Sequence, residues 1–516
     1  MTVTLDGLRG RTDPIAGATR VEVAPDGLPD ACRALATRGA RLVVMTGTDE
    51  RDLGRGFGLY YVFALGGELF SIEAMVDAAH PSFPSVTPVV PAAHWYEREV
   101  KDLLGLDPQG HPDPRRLVLH DDWPRGLHPL RRDFDLRTRP PRAPHTEGPI
   151  THVRGDGVME IPVGPIHAGV IEPGHFRFGG VGELVLQLEA RLFYTHRGIE
   201  KAAEGRGVDA VLALAERICA ACSLSHQVAY AQAVEALAEV VPTRRAAVIR
   251  TVLLELERLY NHVGDIANLC AGASLQLGLH QGAILKERLQ ELNASVTGHR
   301  YLFGAVRPGG VRRDLGPAEQ GSIRTALAEV EPAFRQYVAA LLETDSFIER
   351  LTGTGVLERR IAEELGAVGV AARASGVRRD VRSERPYAAY PGDLEPVVRS
   401  EGDVLARMLV RLDEALASFA LIRSSLGELA TFAAGDLVTP VGALAPGRWA
   451  AGIVESPRGE NVHWVQTGPR GEIYRYRVRS ASYNWALVPF AVPGNLLPDF
   501  PVINKSFELC YACLDR

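Results

Sequence analysis

Arg217-Ile218-Cys219-Ala220-Ala221-Cys222-Ser223-Leu224-Ser225-His226 sets out one pair of thiols, and Cys510-Tyr511-Ala512-Cys513 sets out another just before Arg516. Thiolates at Cys-x-x-Cys spacing grip a soft or borderline metal such as zinc, nickel or iron. A structural zinc site is the plainest reading, but structural zinc pairs usually lie roughly 15 to 20 residues apart. Cys222 and Cys510 are separated by far more chain, so a site shared by both pairs has to be assembled by the whole fold. The chain has six cysteines; the remaining two, Cys32 and Cys270, have no companion nearby in sequence.

Length and composition bound the rest. A chain of 516 residues is long for one core, and 46% hydrophobic with 23% charged residues is ordinary for a globular protein. The net charge of -6 gives no sign of nucleic-acid binding. Six cysteines are too few for a disulfide scaffold, and the first twenty residues lack the apolar core of a secretion signal, so a reducing cytoplasm is expected. No uninterrupted run of about 18 apolar residues occurs, so any attachment to a membrane would be through partners.

In the N-terminal part, the pattern predicts a helix from Pro29 to Thr37 and strands at Arg41–Met45, Tyr60–Phe63 and Leu69–Ile72. A second helix, from His94 to Leu106, is closed by Gly105. Its charges, Glu97, Arg98, Glu99 and Asp102, read on their own as a solvated face. After it come His111-Pro112-Asp113-Pro114-Arg115-Arg116-Leu117, then Trp123-Pro124, then Gly126-Leu127-His128-Pro129-Leu130-Arg131-Arg132-Asp133-Phe134. With the helix charges, this series resembles the small hydrophilic subunit of the peripheral arm of respiratory complex I and its counterparts in related hydrogenases. The resemblance implies a docked scaffold with no chemistry of its own. Arg137, Arg139 and Arg142 among Pro140, Pro141, Pro144 and Pro149 then read as a linker over 136–150.

Beyond the linker, Ile161 to Phe178 reads as a strand and turn carrying Glu172-Pro173-Gly174-His175. Leu184, Leu188 and Leu192 recur every fourth residue, and Leu256, Leu259, Val263, Ile266 and Cys270 alternate steps of three and four; both segments are predicted to be amphipathic helices. That places Cys270 in the core, where a lone cysteine is packing rather than ligand. His262 and Asp265 share a helix face and are read as structural. Pro308-Gly309-Gly310 is a turn, and further helices are predicted over 318–344, broken or kinked at Pro332, and over 396–430. Near the end, Val462–Val465 and Ile473–Val478 are predicted strands of a hairpin. They follow a Pro457-Arg458-Gly459 turn, whose arginine taken alone would be a surface residue.

Arg-x-Cys-x-x-Cys-x-x-x-His at one end and Cys-x-x-Cys-x-x-Arg at the other look like the paired signatures of the NiFe hydrogenase large subunit in its complex-I-like, energy-converting branch. With the N-terminal series, the resemblance covers nearly the whole chain. The fold class it implies is α+β: a mixed α/β scaffold domain over 1–135, and a mainly helical large-subunit domain over 151–516 with a small β region near the C-terminus. By the same resemblance Cys219, Cys222, Cys510 and Cys513 bind nickel, with Cys222 and Cys513 bridging to an iron that carries diatomic ligands. Dihydrogen would be split or made at the metals, with Cys510 and then Glu172 taking the proton. Arg458 would supply a fixed positive charge beside the centre, and His226 a hydrogen bond to a bridging thiolate.

Four cysteines on nickel leave too few for an iron-sulfur cluster. Electrons would therefore leave through partners, which the family supplies as a cluster-bearing small subunit, a ferredoxin-like subunit and membrane subunits. The chain would be peripheral, on the cytoplasmic side of the membrane; a formate dehydrogenase partner would make the assembly a formate hydrogenlyase. The family's basic residue after the last cysteine pair is a processing point, so Arg516 is expected to be a processed end.

Two departures stand out: Ala220 where the family has glycine, adding bulk near a ligand, and Glu508-Leu509 where it has Asp-Pro. They leave open a complex-I-like quinone or sulfur reductase subunit with a remodelled site, or a purely structural subunit.

Overall fold

Near-continuous apolar runs build the N-terminal sheet, as expected where strands are covered on both faces. The computed structural model describes residues 2–5, 8–13, 16–144, 151–167, 171–433 and 435–516. The strands are β1 (Thr2–Leu5), β2 (Leu8–Asp13), β3 (Ala18–Glu22), β4 (Arg41–Asp49), β5 (Phe57–Leu65) and β6 (Glu68–Val76), in the order β1-β2-β3-β6-β5-β4. Only β3 and β6 run parallel within this sheet. Helix α1 (Leu28–Ala36) supplies the crossover after β3, and α2 (His94–Leu104) packs against β4. Two short strands, β7 (Ser82–Pro84) and β8 (Asp107–Gln109), flank α2 and pair in parallel. Gly105 ends α2 in the left-handed conformation, at φ 74°, as its sequence position predicted.

The charges of α2 do not form a solvated face. Glu97, Arg98, Glu99 and Asp102 are all buried, each with its own partners. Glu97 accepts from Tyr61 Oη at 2.9 Å, Thr87 Oγ1 at 2.7 Å and the Val86 N–H at 2.7 Å. Asp102 accepts three successive backbone N–H groups, from Leu117, Val118 and Leu119, and Arg98 donates to the carbonyls of Arg115 and Arg116. The proline-rich series after α2 is thus pinned by the helix charges, because buried polar groups must be paired.

Residues 136–144 run without regular structure; residues 145–150 of the predicted linker, and residues 168–170 of the segment before Glu172, lie outside the described residues. A three-stranded sheet follows, of β9 (Val158–Val163), β10 (His175–Val181) and β11 (Leu184–Arg191). The leucines at 184 and 188 therefore lie on a strand and not on a helix. A four-residue spacing is also twice the strand period, and Gly182, at φ 59°, forms the tight turn that pairs β11 back on β10.

The helical part comprises α3 (Ile199–Ala203), α4 (Val208–Ala215), α5 (Ser223–Leu237), α6 (Arg244–Gly272), α7 (Gln276–Thr297) and α8 (Pro317–Leu342). It continues with α9 (Asp345–Leu351), α10 (Arg359–Glu364), α11 (Gly369–Ala374), α12 (Val381–Glu384) and α13 (Val404–Leu429). Helix α6 lies at the centre, between α7 and α13, with Cys270 fully buried on it as predicted. Pro332 sits exposed inside α8 without ending it, so water can serve the carbonyl that loses its donor. The helix expected from Pro396 starts only at Val404, where Asp403 accepts the Ala406 N–H at 2.7 Å as its cap. Pro308-Gly309-Gly310 turns between the two-residue strands β12 (Val306–Arg307) and β13 (Gly310–Val311).

At the C-terminal end β14 (Trp449–Ser456), β15 (Gly459–Thr467) and β16 (Ile473–Arg479) form an antiparallel sheet of which β14 was not foreseen. Helix α5 packs on this sheet. The N-terminal sheet meets it too: Arg41 binds Glu460 through two bonds of 2.7 and 2.6 Å, Tyr474 Oη donates to the Asp49 carbonyl at 2.6 Å, and Trp449 Nε1 to Glu73 at 3.0 Å. One continuous apolar core runs through both parts. The chain ends in α14 (Val488–Ala491), α15 (Phe500–Phe507) and α16 (Tyr511–Asp515).

Candidate metal centre

Cys219 and Cys222 occupy the turn between α4 and α5, with Cys222 immediately before α5. The turn is held from α6: Tyr260 Oη and Asn261 Nδ2 both donate to the Ala221 carbonyl at 2.8 Å, and Glu257 accepts the Leu224 N–H at 2.6 Å and the Ser225 N–H at 3.1 Å. These last two are among the donors a helix start leaves unsatisfied. Cys510 and Cys513 straddle the start of α16. Glu508, left-handed at φ 50°, turns the chain out of α15, and the Cys513 N–H then donates to Cys510 Sγ at 3.4 Å. Past Cys513, Asp515 anchors the end by accepting from the backbone of Phe193 and Thr195.

Folding brings the two pairs together. The sulfurs of Cys219, Cys222 and Cys513 all lie within 4.8 Å of one another, and Cys510 Sγ is 3.3 Å from Cys219 Sγ. Three of the cysteines are buried and Cys510 is half-buried. Arg197 ties the loops to each other, donating to the carbonyls of Arg217, Ile218 and Ala512. Hydrogen bonds from the other three thiols hold Cys219 well below the ordinary thiol range, while Cys222, Cys510 and Cys513 are pushed well above it. Four clustered sulfurs on buried, braced loops fit a thiolate-bound metal: the thiolate is the ligand form, and a soft donor set selects such ions.

Arg458 sits between β14 and β15, over the centre and not at the surface. It reaches Cys222 Sγ at 3.6 Å, Asn261 Oδ1 at 2.7 Å, Asp265 at 3.2 Å and the Glu508 carbonyl at 2.5 Å. Burial works against its charge, and Asp265 with the neighbouring thiols more than restores it. Glu172 stands at the solvent side, its Oε2 accepting the Ala512 N–H at 2.8 Å. Partial desolvation pushes its carboxyl above the ordinary range while that N–H pulls it back. His226 Nε2 lies 3.4 Å from Cys513 Sγ, and its Nδ1 is 2.9 Å from His463 Nε2. Burial pushes His226 down to about 4, leaving the ring neutral.

The residues expected at the centre, Cys219, Cys222, Cys510, Cys513, Glu172, Arg458 and His226, are therefore brought together here. Others were missed or undervalued. Asp265 reaches the centre through Arg458, whereas His262 turns away to Glu414 at 2.9 Å. Glu257, Asn261 and Asp265 recur every fourth residue on α6; that polar stripe inside a buried helix was the available signal. Of the two departures, Ala220 is exposed, while Glu508 contributes its carbonyl to Arg458. Cys32 and Cys270 lie on α1 and α6, each buried apart from the centre.

Compared with known proteins, the chain is 38% identical over 491 residues to formate hydrogenlyase subunit 5 of Escherichia coli (strain K12), covering 93% of this chain and 85% of that one. The chain belongs to that family. Within it, hydrogenase-4 component G of the same organism is 37% identical, covering 92% of this chain and 84% of its own length. Separate stretches of this chain match separate family models. The respiratory-chain NADH dehydrogenase 30 Kd subunit matches residues 21–140, and its 49 Kd subunit residues 281–440 and 436–516. Nickel-dependent hydrogenase matches residues 197–271, which contain the first cysteine pair. The same fusion occurs in an NADH-quinone oxidoreductase of Phocaeicola vulgatus, one of whose subunits is 31% identical over 79% of this chain and 81% of its own length. Among solved structures, the membrane-bound sulfane sulfur reductase, an archaeal respiratory complex, matches with TM-score 0.65 and 29% identity, covering 70% of this chain and 99% of that one. The chain is thus a hydrogenase-related oxidoreductase subunit whose relatives work in membrane-associated assemblies. Among the described residues no helix is long and apolar enough to cross a membrane.

Proposed function

We propose that this chain is the catalytic large subunit of a membrane-associated NiFe hydrogenase complex that interconverts dihydrogen with protons and electrons. The observation that carries the reading is the convergence of the four sulfurs with Arg458 on one side and Glu172 on the other. A structural zinc site has no use for either of the last two. Cys219, Cys222, Cys510 and Cys513 would hold nickel, with Cys222 and Cys513 shared with an iron carrying diatomic ligands. When bound, the metal pair supplies a place for dihydrogen to be polarised and for electrons to be exchanged.

The chain's own residues supply the rest. Arg458, fixed by Asp265 and Asn261, places a buried positive charge against Cys222 and offsets the negative charge of the thiolates. Cys510 is the one residue of the four that is not fully buried and so the natural first proton acceptor. Glu172 lies on the same loop's solvent side, through the Ala512 N–H, with a carboxyl whose raised affinity for protons suits passing them to water. Residues 1–135 act as a docked scaffold and 151–516 as the catalytic unit.

With Cys32 and Cys270 buried apart, electrons leave through partner subunits: one bearing a cluster, one ferredoxin-like, and membrane subunits that hold the chain at the cytoplasmic face. A formate dehydrogenase partner would complete a formate hydrogenlyase-like assembly, a reading supported by the likeness to formate hydrogenlyase subunit 5. A second reading, a quinone or sulfur reductase subunit with a remodelled site, draws on the sulfane sulfur reductase and NADH-quinone oxidoreductase relatives. The test is dihydrogen-dependent dye reduction. The intact complex should show it, and the isolated chain and the complex carrying Cys510→Ser should not. Robust activity from the isolated chain, or none from the intact complex, would sink the proposal.

A further inference from the structure

Behind Cys513, on the side away from solvent, lies a line of three groups, of which only His226 has been given a role. Tyr476 Oη is 2.7 Å from His463 Nδ1, His463 Nε2 is 2.9 Å from His226 Nδ1, and His226 Nε2 is 3.4 Å from Cys513 Sγ. Tyr476, His463 and His226 are 0% exposed and Cys513 is 2% exposed, so bulk solvent does not reach the line. The line crosses the fold, from β16 through β15 to α5 and then to Cys513 in α16.

We propose that Tyr476 and His463 are positioning residues for the centre: through a one-way chain of hydrogen bonds they hold His226 in the tautomer whose Nε2–H points at Cys513 Sγ. The argument is one of counting donors. A neutral imidazole has one N–H and one lone pair, so the direction of any one bond in the line fixes all the others. If Tyr476 O–H donates to His463 Nδ1, then His463 Nε2–H donates to His226 Nδ1, and His226 Nε2–H is left to donate to the sulfur. Every group is then satisfied.

The opposite direction fails at the tyrosine. Tyr476 would become an acceptor, and its own proton would be buried with no acceptor among the described residues, which is costly. At the other end the lone pair of His226 Nε2 would face Cys513 Sγ, which can meet it only as a thiol. An extra proton on His226 is no remedy. It would make His226 Nδ1 a donor, reverse the His463 bond, and strand the tyrosine proton again. No carboxylate among the described residues hydrogen-bonds to either ring, so nothing else sets their orientation.

On the reading proposed above, the consequence is that Cys513, a sulfur meant for metal, meets an N–H and not a lone pair on its buried side. The tautomers themselves do not depend on that reading, so they are measured on the metal-free full-length chain.

The experiment is 15N NMR of the full-length chain labelled in its histidine rings, with His226 and His463 recognised by the nitrogen-to-nitrogen correlation across their mutual hydrogen bond. The expected result is that both rings carry their proton on Nε2 alone. In Tyr476→Phe, shown to be folded by circular dichroism, the single-tautomer signature of His463 should be lost and replaced by a mixture that includes Nδ1–H. A wild-type spectrum with Nδ1–H or a doubly protonated ring at either histidine would overturn the proposal, and so would unchanged tautomers in folded Tyr476→Phe. If the variant does not fold, the wild-type spectrum decides alone. Failure of the hydrogenase reading would show separately, in the metal content of the complex.

Discussion

Replacing Glu99 by glutamine should loosen the whole molecule, although Glu99 lies on α2 in the scaffold part. Its carboxylate contacts Arg516 Nη2 at 3.0 Å, Arg477 Nη2 at 3.1 Å and the Tyr483 hydroxyl. Glu200 completes the cluster, binding Arg516 Nη1 at 2.8 Å, Arg477 Nη1 at 3.1 Å and Arg475 Nη2 at 2.9 Å. No side chain among these charged five is more than 5% exposed. Three arginines already outnumber two glutamates, and Glu99→Gln leaves three cations to one anion. Breaking a buried pair from one side costs about 3 to 5 kcal/mol. Glutamine keeps the volume and one acceptor oxygen, so the low end applies, about 3 kcal/mol, or roughly a hundredfold in the folded-to-unfolded ratio. Urea unfolding followed by tryptophan fluorescence should show the midpoint falling without a change of slope. Adding Arg477→Gln returns the cluster to its native charge excess and should recover part of the loss. A shift below about 0.5 kcal/mol, the scatter of ordinary surface changes, would refute the view that this cluster fastens the scaffold to the loop of Cys513.

Glu172→Gln keeps shape and removes the titratable group; metal content should survive while turnover falls by about a hundredfold, the usual worth of a positioned acid–base group. The ionisation that Glu172 adds to the pH profile, shifted above the ordinary carboxylate range, should vanish with it, and unchanged turnover would make Glu172 a turn residue only. Asp265→Asn removes the anion shared by Arg458 at 3.2 Å and Arg411 at 3.3 Å, so turnover should drop more than nickel content, and a variant with normal turnover would show that Arg458 needs no such anchor.

The cysteine pairs were legible because their chemistry is local, and so were the long stripe of α6 and the strands β4 to β6, whose periodicity is strong. What failed was whatever depended on partners far along the chain. The spacing of Leu184 and Leu188 fits either period, and only the turn at Gly182 decides for a strand. The charged face of α2 read as solvated because its partners, from Tyr61 to Arg516, are scattered across the sequence. Arg458 taken alone reads as a surface turn, and only the family resemblance put it beside the centre, where Asp265 and Cys222 meet it; His463 and Tyr476 carry no motif at all.

The central claim is that one nickel and its partner iron are held by Cys219, Cys222, Cys510 and Cys513, despite Glu508-Leu509 in the loop before them. Elemental analysis of the purified intact complex tests it most directly. The account predicts nickel in one-to-one proportion to this chain, lost on Cys510→Ser because serine is a harder, poorly ionised ligand, and retained in Cys270→Ser, whose thiol packs in the core beside Tyr337. Zinc or no metal at these thiols, or nickel that persists in Cys510→Ser, would contradict it.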